Sequence, residues 1–190
     1  MSPSAPLLVY AYPFSPYGRK ITDYLTLRHI PHTIIEQSPV PPRPDLLQLG
    51  ISFRMIPVVV IGRDVYCDTK LILDKLEALY PVSGEYPSLK GKTEDATSTL
   101  LQFWTSANFQ RLLLAMPPDF PALQDEGFVK DRAQLWGGEW KNRTGKQGKS
   151  LQAEGLVVLR EMLDILKGMI GEGKEFLDGE RPGLRDLNGE

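Results

Sequence analysis

Residues 12–30 read YPFSPYGRKITDYLTLRHI, and the way this stretch folds frames the rest of the chain. Ile21, Tyr24, Leu25 and Leu27 recur at helical spacing, with Arg19, Lys20, Asp23 and Arg28 mostly elsewhere, which predicts an amphipathic helix. Pro16 suits its first turn, where a missing N–H does no harm. Ser15 just before it is a favoured N-cap. The preceding run LLVYAY, 7–12, is apolar and aromatic and has the length of a buried strand. The chain therefore starts as strand, short loop, helix.

Working outward, HTIIEQ (32–37) reads as a second strand. Prolines 39, 41, 42 and 44 make a stiff connector, and PDLLQLG holds a short helix that Gly50 ends. MIPVVVIG (55–62) is β-branched and apolar, the composition of a central strand, and DVYC (64–67) returns beside it through a turn at Gly62. DTKLILDKLEALYP is a helix capped by Asp68 or Thr69, with Leu71, Ile72, Lys75, Leu76 and Leu79 on one face. The order is β-α-β-α-β-β-α over residues 1–81, an α/β unit. Residues 82–93, rich in Gly, Ser and Pro, read as a linker.

Residues 94–190 read as an all-α domain. A long helix over 95–116 is stopped by Pro117 and Pro118. A second candidate, 126–140, is broken at Gly137-Gly138. In LQAEGLVVLREMLDILKGMIGEG, Leu156, Leu159, Leu163, Leu166 and Ile170 step by threes and fours, predicting a core stripe. TGKQGKS (144–150) superficially suggests a phosphate loop, but Arg143 stands where its first glycine belongs, so a solvated loop is expected.

Composition narrows the function. The 190 residues carry a net charge of −2 and are 42% hydrophobic, with no basic excess for a nucleic-acid partner. No apolar run reaches the ~20 residues of a membrane span. The start MSPSAPLLVYAYPF lacks the basic flank of a signal peptide. Cys67 is the single cysteine, which excludes an internal disulfide and fits a reducing, cytoplasmic location. Asn142-Arg143-Thr144 is then a chance glycosylation triplet. His29 and His32 are too few for a metal site.

Three features in this order carry a resemblance. Ser15-Pro16-Tyr17-Gly18 occupies the slot of a C-P-Y-C redox motif; Ile56-Pro57 opens an apolar strand; Asp68-Thr69 lies where the last strand turns into the last helix. The pattern resembles the glutathione transferase family over nearly the whole chain: a thioredoxin-like N-terminal domain, a helical second domain, and a cis proline before the third strand. The resemblance implies glutathione as co-substrate, no metal, a small hydrophobic electrophile and a homodimer. It implies that Ser15 hydrogen-bonds the glutathione sulfur, with Tyr12 or Tyr17 as alternatives for that role. It implies that Ile56 offers its backbone to the cysteinyl part, that Asp68-Thr69 hold the γ-glutamyl end, and that Trp104, Asn108 and Arg111 line the electrophile pocket with Tyr12. Arg54 reaches the glycyl carboxylate or is merely solvated. The structural alternatives are equally concrete: Ser15 and Asp68-Thr69 as caps, Pro57 as a fold element, Trp104 as core, Arg111 as surface, and Cys67 as a small hydrophobe rather than a partner for a mixed disulfide.

Missing cysteines argue against thiol–disulfide exchange, and a helix N-terminus plus a donated hydroxyl bond both favour a ligand thiolate. FLDGERPGLRDLN (176–188) resembles the family's late helix signature, with Gly183 where Ser or Thr caps, which leaves Asp186 without its capping-box partner. The chain stops at Glu190 where that helix begins, so the helical domain is expected to be incomplete. The enzyme reading is a transferase; the alternative is a non-catalytic binding or scaffold protein on the same fold.

Overall fold

The computed structural model describes residues 5–89, 96–137, 140, 143 and 145–189. Residues 90–93 of the expected linker, Gly138, and Asn142 and Thr144 of the triplet lie outside them. Contacts divide the chain into two compact units, residues 1–94 and 95–189.

The first unit runs β1 (Leu7–Ala11), α1 (Pro16–Leu27), β2 (Thr33–Glu36), α2 (Pro44–Gln48), β3 (Val58–Ile61), β4 (Asp64–Cys67) and α3 (Thr69–Leu79). The sheet order is β2-β1-β3-β4: β1 pairs parallel with β2, and β3 is antiparallel to both β1 and β4. Val9, Val58 and Val59 are completely buried, as β-branched residues on central strands should be. Ile21, Tyr24 and Leu25 of α1 are likewise sealed. On α3, Ile72 and Leu76 face the core, whereas Leu71 is 53% exposed and leaves the expected stripe.

A polar clamp joins α1 to α3. Arg28 is fully buried; its Nη1 donates to Tyr24 OH (2.7 Å) and Glu77 Oε1 (2.5 Å), and its Nη2 donates to the Tyr80 carbonyl (2.5 Å). Tyr24 OH donates to the same Glu77 oxygen. Burial, then the Glu77 carboxylate, pushes the Tyr24 phenol well above its ordinary pKa.

The second unit contains α4 (Ala96–Leu113), a 3-10 turn at Pro121–Gln124, α5 (Glu126–Trp136), α6 (Gly145–Met169) and α7 (Leu184–Gly189). Gly137, at φ +103, ends α5. Two expectations fail on α6. Residues 145–150 are its first turns, not a loop. Its buried positions are Gly148, Gly155, Val158 and Met162, while Leu156 and Leu163 of the expected stripe are about half exposed. The reason is close approach: a Cβ at Gly155 would overlap the Leu114–Ala115 backbone, and one at Gly148 the Arg143 carbonyl. The helix packs through glycines, which a leucine pattern cannot reveal.

The end of this unit also departs from expectation. Asp186 is not left alone: its carboxylate accepts from Gly183 N–H and Leu177 N–H, each at 2.8 Å. Asp178 stands in for the missing Ser or Thr, accepting from Arg185 N–H (3.3 Å) and Arg185 Nε (2.6 Å). A Cβ at Gly183 would overlap that carboxylate, so glycine at 183 is the complement of Asp178. Thr105 Oγ1 donates to the Asn188 carbonyl and Asn188 Nδ2 to Ser98 Oγ, tying α7 to α4.

Candidate functional site

The register of the sheet brings three loop segments to one end. Tyr10 pairs with Val58, and Val58 with Cys67. Three chain segments therefore emerge side by side: 12–15 after β1, Ile56–Pro57 before β3, and Asp68–Thr69 after β4. Because β1 and β4 point the same way, α1 and α3 both open their N-termini at this end, and both macrodipoles make it electropositive.

Ser15 caps α1. Its φ and ψ are −80° and 113°, and its Oγ accepts from Gly18 N–H at 3.1 Å. Accepting leaves the hydroxyl proton for a bond to something else. Only 3% of the residue is exposed. Gly18 is needed here, since a Cβ would press against Ala11 and Ser15. Tyr12 and Tyr17 are half-buried in the same loop region, and Tyr12 stacks on Phe14 with ring centroids 4.9 Å apart.

The Ile56–Pro57 peptide is cis, and both residues are buried. Arg54 is half-buried two positions earlier. Its carbonyl accepts from Arg43 Nη1 at 2.5 Å, while Arg43 Nε and Nη2 hold the carbonyls of Ser38 (2.8 Å) and Pro39 (3.3 Å). Arg43 thus staples the proline connector to the segment that leads into the cis peptide. Sequence reasoning passed over it; the only signal is a lone cation enclosed by prolines.

Asp68 is the cap of α3 where the sequence left Asp68 or Thr69 open. Its Oδ1 accepts from Lys70 N–H (2.9 Å) and Leu71 N–H (3.2 Å). The first helical amide, that of Thr69, is not used by this cap. Asp68 sits at φ +75, ψ 124, a conformation that L-residues avoid. Backbone strain of this kind concentrates at functional sites. Cys67 adjoins it, half-buried, and burial raises its thiol pKa.

In the second unit, Trp104, Asn108 and Arg111 share one side of α4. Asn108 Nδ2 donates to the Trp104 carbonyl (2.9 Å), and Arg111 Nη1 to Asn108 Oδ1 (3.5 Å). Trp104 and Asn108 are half-buried and Arg111 is exposed. Tyr12, the fourth member of the expected electrophile pocket, belongs to the other unit. Among the described residues, no three His, Cys, Asp or Glu side chains group as a metal site requires, and no helix is long and apolar enough to cross a membrane.

Residues 9–88 match the model of the glutathione S-transferase N-terminal domain, and residues 111–189 that of a domain of unknown function (DUF7962). No curated protein matches the chain. Among solved structures, glutathione transferase GSTFuA3 from Phanerochaete chrysosporium superposes with a TM-score of 0.66 at 18% identity, over 96% of this chain and 81% of that one. A GST-like protein from Pseudomonas syringae gives 0.61 at 20% identity; all of this chain is matched but only 56% of that one, so the chain spans little more than half the length of that relative. A glutathione transferase homologue from Burkholderia gl BGR1, solved with bound glutathione, gives 0.58 at 14% identity over 96% of this chain and 76% of that one. At these identities the likeness is one of fold: a thioredoxin-like unit followed by a helical one.

Proposed function

We propose, from the match of residues 9–88 to the model of the glutathione S-transferase N-terminal domain, that the chain binds glutathione at the β1–β3–β4 end of its sheet and activates the thiol for transfer to a small hydrophobic electrophile. The observation that carries this reading is the convergence of Ser15, the cis Ile56–Pro57 peptide and the strained Asp68 beside two helix N-termini. From β1 to β4 is two inter-strand spacings, about 10 Å. That is about the length of an extended tripeptide.

The roles follow from chemistry. Ser15 donates its hydroxyl proton to the sulfur, with Tyr17 beside it. Ile56 and Pro57 present backbone to the cysteinyl residue. The Thr69 N–H, at the positive end of α3, takes the γ-glutamyl carboxylate, and Asp68 Oδ2 takes the ammonium. Arg54 takes the glycyl carboxylate. A free thiol has a pKa of ~8.5 and is only a few per cent thiolate at pH 7; lowering it by about two units stabilises the anion by roughly 2.7 kcal/mol. A dipole and one hydroxyl bond are of the right size for that. On α4 of the second unit, Trp104, Asn108 and Arg111 contact the electrophile, residues 1–81 and 94–190 act as separate domains, and a cytoplasmic homodimer is the working form.

A second reading has one specific observation in its favour. Ser15 is buried and already serves α1 as its cap, so a protein that binds glutathione without turning it over is the alternative.

Calorimetry with glutathione on the wild type, Ser15→Ala and Asp68→Ala tests both. The transferase reading expects wild-type binding, loss with Asp68→Ala, and retained binding but no thiolate ultraviolet absorbance with Ser15→Ala. Folded wild type that stays silent at millimolar glutathione refutes the site. Binding with no thiolate signal in the wild type selects the non-catalytic reading.

A further inference from the structure

The stretch that leads into Ile56 is held by a side chain that lies outside the proposed glutathione contacts. Just past α2, Ile51 N–H bonds back to the carbonyl of Leu46 at 2.9 Å, and Leu46 itself is sealed. Downstream, the sheet takes hold at Val58, which pairs with Tyr10. Between these two fixed points, Phe53 and Met55 are each 41% exposed, so their side chains bury little area and anchor the chain weakly. A backbone anchor in this gap is the Arg54 carbonyl, which accepts from Arg43 Nη1 at 2.5 Å. The other side of the same guanidinium is fixed to the proline connector: Nε donates to the Ser38 carbonyl (2.8 Å) and Nη2 to the Pro39 carbonyl (3.3 Å). One planar fork thus bridges the connector and a point two residues before Ile56, a geometry that a lysine ammonium does not reproduce.

We propose that Arg43 is a positioning residue for glutathione. By holding the Arg54 carbonyl it sets where Ile56 presents its backbone to the cysteinyl residue, and so how far the sulfur lies from Ser15. The inference rests on the glutathione site argued above. Arg43 is only 6% exposed, so it acts through the backbone it holds and not by touching the ligand. A misplacement of about 1 Å, caused by a change remote from the chemistry, costs up to about 10²-fold. Both affinity and the ionisation of the bound thiol therefore depend on this guanidinium.

The test titrates glutathione and its glycyl monoethyl ester into the full chain, wild type and Arg43→Met, by calorimetry. Thiolate absorbance at saturating glutathione is followed across pH, at a temperature where urea unfolding shows both proteins folded. Arg43→Met is expected to weaken both ligands about tenfold, by the same factor, because the glycyl carboxylate takes no part. The pKa of the bound thiol is expected to rise. Arg43→Lys keeps the charge and loses the fork; it is expected to change both readouts in the same direction, and it carries the test should Arg43→Met fail to fold. A folded variant of either kind that binds and ionises glutathione as wild type does has lost only stability, and overturns the proposal. Weakening confined to glutathione, with the ester unaffected, identifies a direct contact with the glycyl carboxylate and also overturns it. Both of those outcomes leave the glutathione site standing. Wild type that binds neither ligand overturns the site itself, and this inference with it.

Discussion

Replacing Gly183 by serine restores the residue that ordinarily caps a helix of this type, and it is expected to destabilise this protein. The place of the serine side chain is already filled by the Asp178 carboxylate. Asp178 performs two tasks there: it accepts from Arg185 N–H in the first turn of α7, and it pairs with Arg185 Nε at 2.6 Å with only 6% of its own side chain exposed. Losing a cap costs about 1 kcal/mol. Losing a charge-assisted hydrogen bond costs about 1.5–3 kcal/mol. The incoming hydroxyl recovers about 1 kcal/mol as a cap, so the net for Gly183→Ser is a loss of about 2 kcal/mol. Asp178→Ala alone is expected to lose the sum of the two, about 2.5–4 kcal/mol. In the double variant the serine has room and caps as usual, so it loses no more than Gly183→Ser alone and the two changes are strongly non-additive, with a coupling of about 2.5–4 kcal/mol, equal to the Asp178→Ala loss. Urea unfolding of the four proteins measures each value from the midpoint at constant slope. A neutral Gly183→Ser, or a double variant equal to the sum of the singles, refutes the substitution of one cap by the other.

Two further outcomes concern the α1–α3 clamp. Glu77→Ala leaves the sealed Arg28 guanidinium without its carboxylate and is expected to cost about 3–5 kcal/mol, read by chemical unfolding; a loss below 1 kcal/mol shows that the buried cation finds another anion. Burial and Glu77 raise the folded-state pKa of Tyr24 above the ordinary 10.0, so its contribution is fully present below about pH 10 and is lost as pH climbs past that value. The urea midpoint is expected to fall more steeply from pH 9 to 11 in wild type than in Tyr24→Phe; parallel curves contradict it.

The thioredoxin-like half was legible because its signals are local. Strand runs, the Gly62 turn and the Ile21–Tyr24–Leu25 face each depend on a few adjacent residues, and the structure places them as read. In the site, Ser15, Ile56, Pro57, Asp68 and Thr69 could be singled out by their order along the chain, but the positive φ of Asp68 and the Arg43 staple could not. Both arise from packing between loops. In the helical half, periodicity pointed to the leucines of α6, yet the closest approach, to the Leu114–Ala115 backbone just past α4, is made by Gly155. A residue without a side chain contributes nothing to a hydrophobic pattern, although it decides how closely two backbones meet. The Asp178–Gly183 exchange escaped for a related reason: the capping group is displaced five positions, into a loop that carries no periodic signal.

Asp68 has a consequence for how binding data at this site should be interpreted. Holding an L-residue at φ +75 costs about 1–2 kcal/mol, a cost that glycine avoids. Alanine at 68 keeps that backbone penalty and removes the carboxylate; glycine removes both. The difference in stability between Asp68→Ala and Asp68→Gly therefore isolates the conformational term, and on the proposed glutathione site the loss of affinity they share isolates the carboxylate. One position supplies its own internal standard, with main chain and side chain measured apart in the same molecule.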